Sequence, residues 1–449
     1  MQKIKPVLIL LLAIVASSGL SAQEIKSFSL QQALDYAMEN NYDIMRSEKD
    51  VEAAKQKIKE STSIGLPQID AKLTYNDNVA RPTIILPPEF SGDPNGPGLE
   101  IQFGTRYDAS LGATASQLIF SGEYIVGLKA SKKYLESTNA EFFRNKVAVK
   151  QQVANSYYNV LTVERALYII DTTMKVTKSL AEETRQIYEV GFAEDIDVDQ
   201  LDLLVADLEA SRINFENQLS LAHAYLKFYL GLRAQDSLIL TDDLNNLVKN
   251  LEESSVMSAD FIVDYNPDFY SLSKQKELSY LQVDLEKASY LPSINAFLNY
   301  QSQAQRDTWD FFNPKGIWYS SSIFGLTMNI PILSSGTRSA KLKQAKIAFE
   351  QISIQQNQLE NQLNLQFSNA RNEYFNSYKV YQNKDKNRKI AKKIFLKTTE
   401  KYKQGLASSL DILNTHNQFL KAESDFLTAS QLFLQSGEAL KKILTKVTN

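Results

Sequence analysis

The chain has 449 residues, a formal net charge of -3, no cysteine and two histidines. This excludes disulfides and thiol or cysteine-metal chemistry, and it leaves little for imidazole catalysis. The slightly acidic balance argues against a nucleic-acid partner, which would favour a basic surface.

The N-terminus reads as an address. Lys3 and Lys5 precede an apolar run from Val7 to Ala16 and small residues from Ser17 to Ala22. This is the pattern of a secretory signal peptide, residues 1–22. The run falls well short of the roughly 20 residues that a membrane-spanning helix needs. An exported protein is expected.

Two strands follow in each half of the chain. Ile69, Ala71, Leu73 and Tyr75 alternate with Asp70, Lys72, Thr74 and Asn76. Beyond a Pro/Gly-rich loop, residues 81–98, the run Ile101, Phe103, Thr105, Tyr107, Ala109 and Leu111 alternates with polar residues. Period-two patterning gives one apolar and one wet face. The second half offers Ile294, Ala296, Leu298 and Tyr300, then a strand ending near Ile330 that alternates poorly. Trp309, Trp318, Phe311, Phe312 and Tyr319 lie in or beside the intervening loop. They suit a membrane-water interface or a plain aromatic cluster.

Of 11 prolines, none lies between Pro97 and Pro267 and none follows Pro331. Such tracts permit long helices, because interior proline costs about 3 kcal/mol or more. Residues 122–190 read as one helix of roughly 70 residues, about 100 Å long. Gly191 ends it and Asp195 or Asp197 caps a returning helix that runs to about Tyr229. Residues 336–404 repeat the plan, with a tip at Gly405-Leu406-Ala407-Ser408-Ser409 and a return from Leu410. Tyr188-Glu189-Val190-Gly191-Phe192 aligns with Tyr402-Lys403-Gln404-Gly405-Leu406, and Leu66-Pro67-Gln68-Ile69 with Leu291-Pro292-Ser293-Ile294. Matches in one order indicate internal duplication. The repeats are residues 23–232 and 266–449, joined by residues 233–265, and they form one elongated domain.

Four strands cannot close a barrel in lipid, where open edges are not tolerated. The barrel must be shared with other copies of the chain.

These residues resemble the TolC family of outer-membrane efflux and secretion channels. The resemblance includes Leu30-Gln31-Gln32-Ala33-Leu34 with Ala37 and Asn40-Asn41, the Leu-Pro entries into strands, and both glycine-to-aspartate tips. It implies a mixed, mainly α fold, with long antiparallel hairpins forming a periplasmic α-barrel. It also implies four strands per chain in a shared trimeric 12-stranded barrel in the outer membrane of a Gram-negative bacterium. The implied partners are two further copies, outer-membrane lipid, a periplasmic adaptor, and an inner-membrane pump or ABC exporter. No cofactor, metal or catalytic residue is implied.

The resemblance also assigns residue roles. Asp411 matches an aspartate ringing the periplasmic entrance, and Asn414 stands where a second aspartate is usual. Tyr402 and Asp197 match a pair that holds the entrance shut, and Ala407 replaces an arginine of that network. Gly191, Phe192, Glu194 and Asp195, with Gly405, Leu406 and Ser408, match the adaptor-docking tips. Simpler roles compete: Tyr402 as a packing residue, Asp197 and Asp411 as helix caps, and His223 and His416 as structural histidines.

The tip end of the first hairpin is acidic, with Glu182, Glu183, Glu189, Glu194, Asp195, Asp197, Asp199 and Asp202, and the matching helix of the second is basic, with Lys384, Lys386, Arg388, Lys389, Lys392, Lys393 and Lys397. Alternating hairpins of opposite sign would order themselves around a tube and bias its closed state. Competing classes are a non-transporting coiled-coil spacer of the cell envelope, a periplasmic adaptor, and an enzyme. The spacer and the adaptor leave the paired strands unexplained, and no phosphate loop, triad or metal cluster supports an enzyme.

Overall fold

The structure is a computed structural model that describes residues 25–92, 95–253 and 259–447. The expected signal peptide, residues 1–22, lies outside the described residues. In chain order the elements are β1 (Ile25–Phe28), α1 (Leu30–Asn40), α2 (Tyr42–Ser63), β2 (Gln68–Asp77), β3 (Thr83–Leu86), β4 (Leu99–Gln102) and β5 (Tyr107–Ser121). Next come α3 (Gly122–Glu189), α4 (Asp195–Leu230), β6 (Ser237–Leu240), α5 (Leu244–Glu252) and α6 (Pro267–Ala288). The chain ends with β7 (Ser293–Arg306), β8 (Tyr319–Asn329), α7 (Thr337–Lys403) and α8 (Ser409–Leu444). Helix lengths match between the two halves: α2 and α6 each have 22 residues, α3 and α7 have 68 and 67, and α4 and α8 each have 36.

One compact unit comprises Val51–Thr138 and Ser273–Ile354. It holds an antiparallel sheet in the order β2-β5-β7-β8. The registers carry the sequence alternation across all four strands. Ile69, Ala115, Leu298 and Phe324 form one row, and Lys72, Gly112, Gln301 and Ser321 form a row on the opposite face. On the polar face Asn299 donates to Thr114 at 2.7 Å, and Asn76 to Asp108 at 2.8 Å. Most of the apolar face is bare, with Ile69 77% and Phe324 72% exposed, and cover is found at the loop end, where Ala109 and Ala304 are buried. Strands β2 and β8 each have one neighbour, so each leaves a backbone edge open.

The alternating run at 101–111 is not one strand. Gly104 takes φ 86° and breaks it. The first part becomes β4, paired with β3 in a separate hairpin, and β5 begins at Tyr107. Alternation alone misses the break, because it records which face a residue takes and not its partner strand. The weakly alternating strand inferred from the duplication does form, as β8. The loop aromatics cluster: Phe311 lies 6.2 Å from Trp318 and 5.9 Å from Tyr75, ring centre to ring centre.

The second unit comprises Met1–Asp50, Asn139–Leu272 and Gln355–Asn449. Strands β1 and β6 pair in parallel. Helix α1 opens with a capping box, in which Ser29 takes the Gln32 N–H and Gln32 takes the Ser29 N–H. Ala33 and Ala37 are fully buried, small enough for close approach. Asn41 ends α1 and starts α2: its Nδ2 donates to the Tyr229 carbonyl at 2.7 Å, and its Oδ1 accepts from Asp43 and Ile44. Gly231 takes φ 76° beside it, where an added Cβ would lie 2.0 Å from the Asn40 carbonyl oxygen. Each residue of the Leu30–Asn41 motif that makes these contacts therefore has a packing or capping role.

Helices α7 and α8 join through an aromatic ladder. Phe433 meets Tyr374, Tyr378 and Tyr381 at 5.2, 5.3 and 5.7 Å, and Phe395 stacks on Phe419 at 5.5 Å. Such pairs contribute about 0.5–1.5 kcal/mol beyond their area burial.

Candidate functional site

Both hairpin tips are built by the same hydrogen bonds. Gly191 (φ 82°) donates to the Tyr188 carbonyl and Phe192 to Ile187; Gly405 (φ 73°) donates to Tyr402 and Leu406 to Lys401. This left-handed glycine closure satisfies the last carbonyls of α3 and α7. Four residues later each returning helix begins. The caps differ from the sequence expectation. Glu194, not Asp195 or Asp197, holds the cap position of α4, and Asp197 sits one turn inside, accepting the Glu194 N–H at 3.3 Å. Asp411 repeats this inside α8, accepting the Ser408 N–H at 2.9 Å and its hydroxyl at 2.8 Å. Those bonds hold the Asp411 carboxyl below the usual carboxylate range. The spacing left two aspartates eligible as cap, and only backbone geometry separates the cap from the third helical position.

The two tips face each other across a cleft of about 580 Å³ lined by Glu183, Thr184, Phe192, Asp197, Tyr402 and Ser408, among others. Three polar ties cross between the hairpins. The Thr184 hydroxyl donates to the Leu180 carbonyl, so the Tyr402 hydroxyl, 3.0 Å away, donates to Thr184. Lys403 Nζ pairs with Glu183 at 2.7 Å. The Ser409 hydroxyl donates to the Asp197 carboxylate. Beneath the ties Leu180, Ala181, Leu201 and Ile412 form a small apolar core. Burial raises the Tyr402 phenol pKa; Thr184 opposes this and the nearby Asp197 charge adds to it. The Lys403 hydrogen bond lowers the Glu183 carboxyl pKa, against a smaller effect of burial.

Tyr402 and Asp197 thus share the cleft but are not bonded to each other; Thr184 and Ser409 are their partners. Asp411 and Asn414 lie three residues apart on an exposed face of α8. Phe192 and Leu406 are exposed at the tips. Sequence reasoning missed Thr184, Lys403 and Ser409 as cross-links. Thr184 left a trace, since Thr162, Thr173 and Thr184 are all buried at a spacing of eleven. No arginine stands at Ala407, and the cation tying the hairpins is Lys403, four residues earlier.

Much of the charge contrast is consumed within the chain. Lys384 pairs with Asp425, Arg388 and Lys389 pair with Asp385, and Arg185 bridges Glu182 and Asp202. His223 lies 3.4 Å from Glu164. His416 is fully buried against the Phe395 ring. Among the described residues, no group of three or more His, Cys, Asp and Glu side chains could hold a metal ion. None of the described helices is long and apolar enough to cross a membrane.

A four-stranded sheet with one lipid-type and one water-type face, together with long paired helices, defines an outer-membrane channel protein. The chain belongs to the outer membrane efflux protein family, which it matches over residues 33–232 and 263–446. It is 20% identical to the outer membrane protein TolC of Vibrio cholerae over 355 residues, 78% of this chain and 74% of that one. It is 26% identical over 256 residues to TtgC of Pseudomonas putida, a probable efflux pump outer membrane protein, spanning 54% of this chain and about half (49%) of that relative. Its fold is similar to that of the Campylobacter jejuni CmeC outer membrane channel, with TM-score 0.71 and 17% identity, over 92% of this chain and 85% of that one.

Proposed function

We propose that three copies of this chain form one duct through the outer membrane, the exit of a tripartite efflux or type I secretion system. The sheet carries the proposal. Most of its apolar face is bare, its opposite face is polar, and β2 and β8 are open, so it needs lipid on one side and neighbours at both edges. Three sheets of four strands give a closed 12-stranded barrel whose lumen is lined by the rows of Lys72 and Asp70. The domain reading that goes with it is two repeats, residues 23–232 and 266–449, joined by residues 233–265.

Substrate is handed over at the tips. Gly191, Phe192, Glu194, Asp195, Gly405, Leu406 and Ser408 meet the hairpins of a periplasmic adaptor, which couples the duct to an inner-membrane pump or ABC exporter. Asp197, Tyr402, Asp411 and Asn414 stand at the periplasmic gate. The closed state draws on three ties: Lys403–Glu183, exposed on both sides and worth about 1 kcal/mol or less, and Tyr402–Thr184 and Asp197–Ser409, each made by a buried hydroxyl and worth about 0.5–3 kcal/mol. A gate held by several weak bonds opens when a partner replaces them.

The test is oligomeric mass in mild detergent together with single-channel current in a planar bilayer. A trimer that conducts is expected. A water-soluble monomer, or a trimer that never conducts even with its tip ties removed, overturns the reading.

A further inference from the structure

The loop end of the sheet is covered on the very face that is bare elsewhere. Strand alternation puts Tyr75, Ala109, Ala304 and Arg306 on the same face as Ile69 and Phe324. Ala304 is fully buried and Ala109 nearly so, whereas Ile69 and Phe324 are open. The cover is the loop of residues 307–318. Its Phe311 ring meets Tyr75 edge-on and lies beside Trp318. The loop therefore folds down along the apolar side of the sheet.

Arg306 holds it there. The side chain is only 11% exposed. Its Nη1 donates to the Asp310 carboxylate at 3.0 Å and its Nη2 to the Ile317 carbonyl at 3.4 Å, and the guanidinium lies 5.6 Å from the Phe311 ring. Both ends of the loop are thus tied to one residue of β7. Gly316 closes over the guanidinium, where an added Cβ would lie 2.1 Å from Nη2. The surface that the loop turns outward is apolar: Trp309, Phe312 and Ile317 are all more than half exposed.

Below the loop the same face turns polar on β7 and β8. The Tyr300 hydroxyl donates to Ser320 at 3.1 Å and Ser320 to Ser302 at 3.2 Å, and Ser322 stands opposite Tyr300. Hydroxyls facing outward are costly in hydrocarbon and well solvated among lipid headgroups. The height agrees. From Ile294 to Ser302 the strand runs about 27 Å, which is about 20 Å of height at a tilt near 40°. The apolar band of outer-membrane barrels is about 25 Å tall, so Ser302 stands near its upper rim, with the loop just above.

We propose that the loop of residues 307–318 is an anchor in the headgroup zone of the outer leaflet, with Trp309, Phe312 and Ile317 as its lipid contacts and Arg306 as the residue that positions it. The inference rests on the barrel proposed above and adds to it a lipid-binding element and a membrane level. The hydroxyl row favours a lipid surface over a protein partner, because it marks where hydrocarbon gives way to headgroups.

Trp309 and Trp318 are the two tryptophans of the chain, so their fluorescence reports on this loop alone. The native protein is placed in phosphatidylcholine vesicles brominated on either the upper or the lower acyl carbons. Upper bromines are expected to quench the emission several-fold more than lower bromines or aqueous iodide. Arg306→Met, and independently Gly316→Val, should release the loop and make iodide the stronger quencher. A reporter, Trp309→Phe with Trp318→Phe and Phe324→Trp, reads the bare part of the sheet and should be quenched best by lower bromines. Native emission quenched best by iodide or by lower bromines, with the reporter still quenched by lipid, overturns the anchor and leaves the duct standing. A reporter that neither bromolipid quenches overturns both. Unchanged quenching in the Arg306 and Gly316 variants overturns the positioning role of Arg306.

Discussion

His416 allows a sharp test of the packing of the second hairpin. The ring is fully buried on α8, 5.4 Å from Phe395, and among the described residues neither nitrogen has a hydrogen-bond partner of normal geometry. Burial pushes its pKa down from 6.5 to about 4, with Asn417 offsetting part of the effect. Above pH 6.5 the imidazole is neutral whether the hairpin is closed or open, and it contributes no pH dependence. Between pH 6.5 and 4 the opened chain takes up a proton that the packed chain refuses. Stability therefore falls as pH drops through that window, by about 3 kcal/mol per chain at 1.36 kcal/mol per unit, and levels off below it. The pKa itself is read by deuterium exchange at the imidazole C2 hydrogen, resolved by mass spectrometry, with His223 as internal reference. Amide exchange over residues 409–423 reads the opening. Protection there should collapse on acidification in the native chain and persist in His416→Leu, which fills the site without a titrating group. A His416 that titrates near 6.5, or equal acid sensitivity in the two proteins, would refute the reasoning.

Gly231→Ala should lower the thermal midpoint by several degrees and reduce the yield of assembled protein. Its Cβ would lie 2.0 Å from the Asn40 carbonyl oxygen and its φ of 76° disfavours any side chain, so backbone must move. The same change at half-buried Gly127, where an added Cβ meets nothing within 4 Å, should have little effect. Tyr402→Phe combined with Lys403→Gln removes two of the three ties at the tips. It should raise single-channel open time in a planar bilayer while leaving oligomeric mass unchanged; an unaltered trace would remove those ties from the gate. Because the Glu183 pKa is depressed, its tie is intact above the ordinary carboxylate pKa and is lost as pH falls through the lowered value. The native channel should therefore open more often in acid, and the double variant should respond less.

The fold was legible where one physical rule spoke alone. Proline-free tracts bounded by Gly191 and Gly405 fixed the long helices, and α3 ends one residue from its expected end. Alternation fixed β2 and the first half of β7. It failed at residues 101–111, where a glycine hands the chain to another partner without disturbing the pattern of faces. At the tips the sequence placed the right residues together but not their bonds. Tyr402 and Asp197 do meet in one cleft, yet the atoms they bond are Thr184 and Ser409, a threonine and a serine with no distinguishing motif. Side-chain hydroxyls are small, common and satisfied in many ways, so their partners follow from packing and are not visible along the chain.

The buried seam of α8 has a further consequence. Ile412, Phe419, Phe426, Phe433 and Leu440 are buried at intervals of seven. In α4 the inward apolar residues satisfy two intervals, seven for Leu201, Leu208, Phe215 and Ala222, and eleven for Leu204, Phe215 and Leu226. A seven-residue interval falls about 20° short of two full turns of an α-helix, and an eleven-residue interval overshoots three turns by a similar angle. The two returning helices, equal in length and begun by matching tips, thus share a seven-residue seam, and only that of α8 is buried at every step from Ile412 to Leu440. Over the four heptads from Ile412 to Leu440 the drift amounts to about 80°. A straight neighbour would slip off the seam over that drift, so a helix that keeps these residues covered has to wind around α8 along its length.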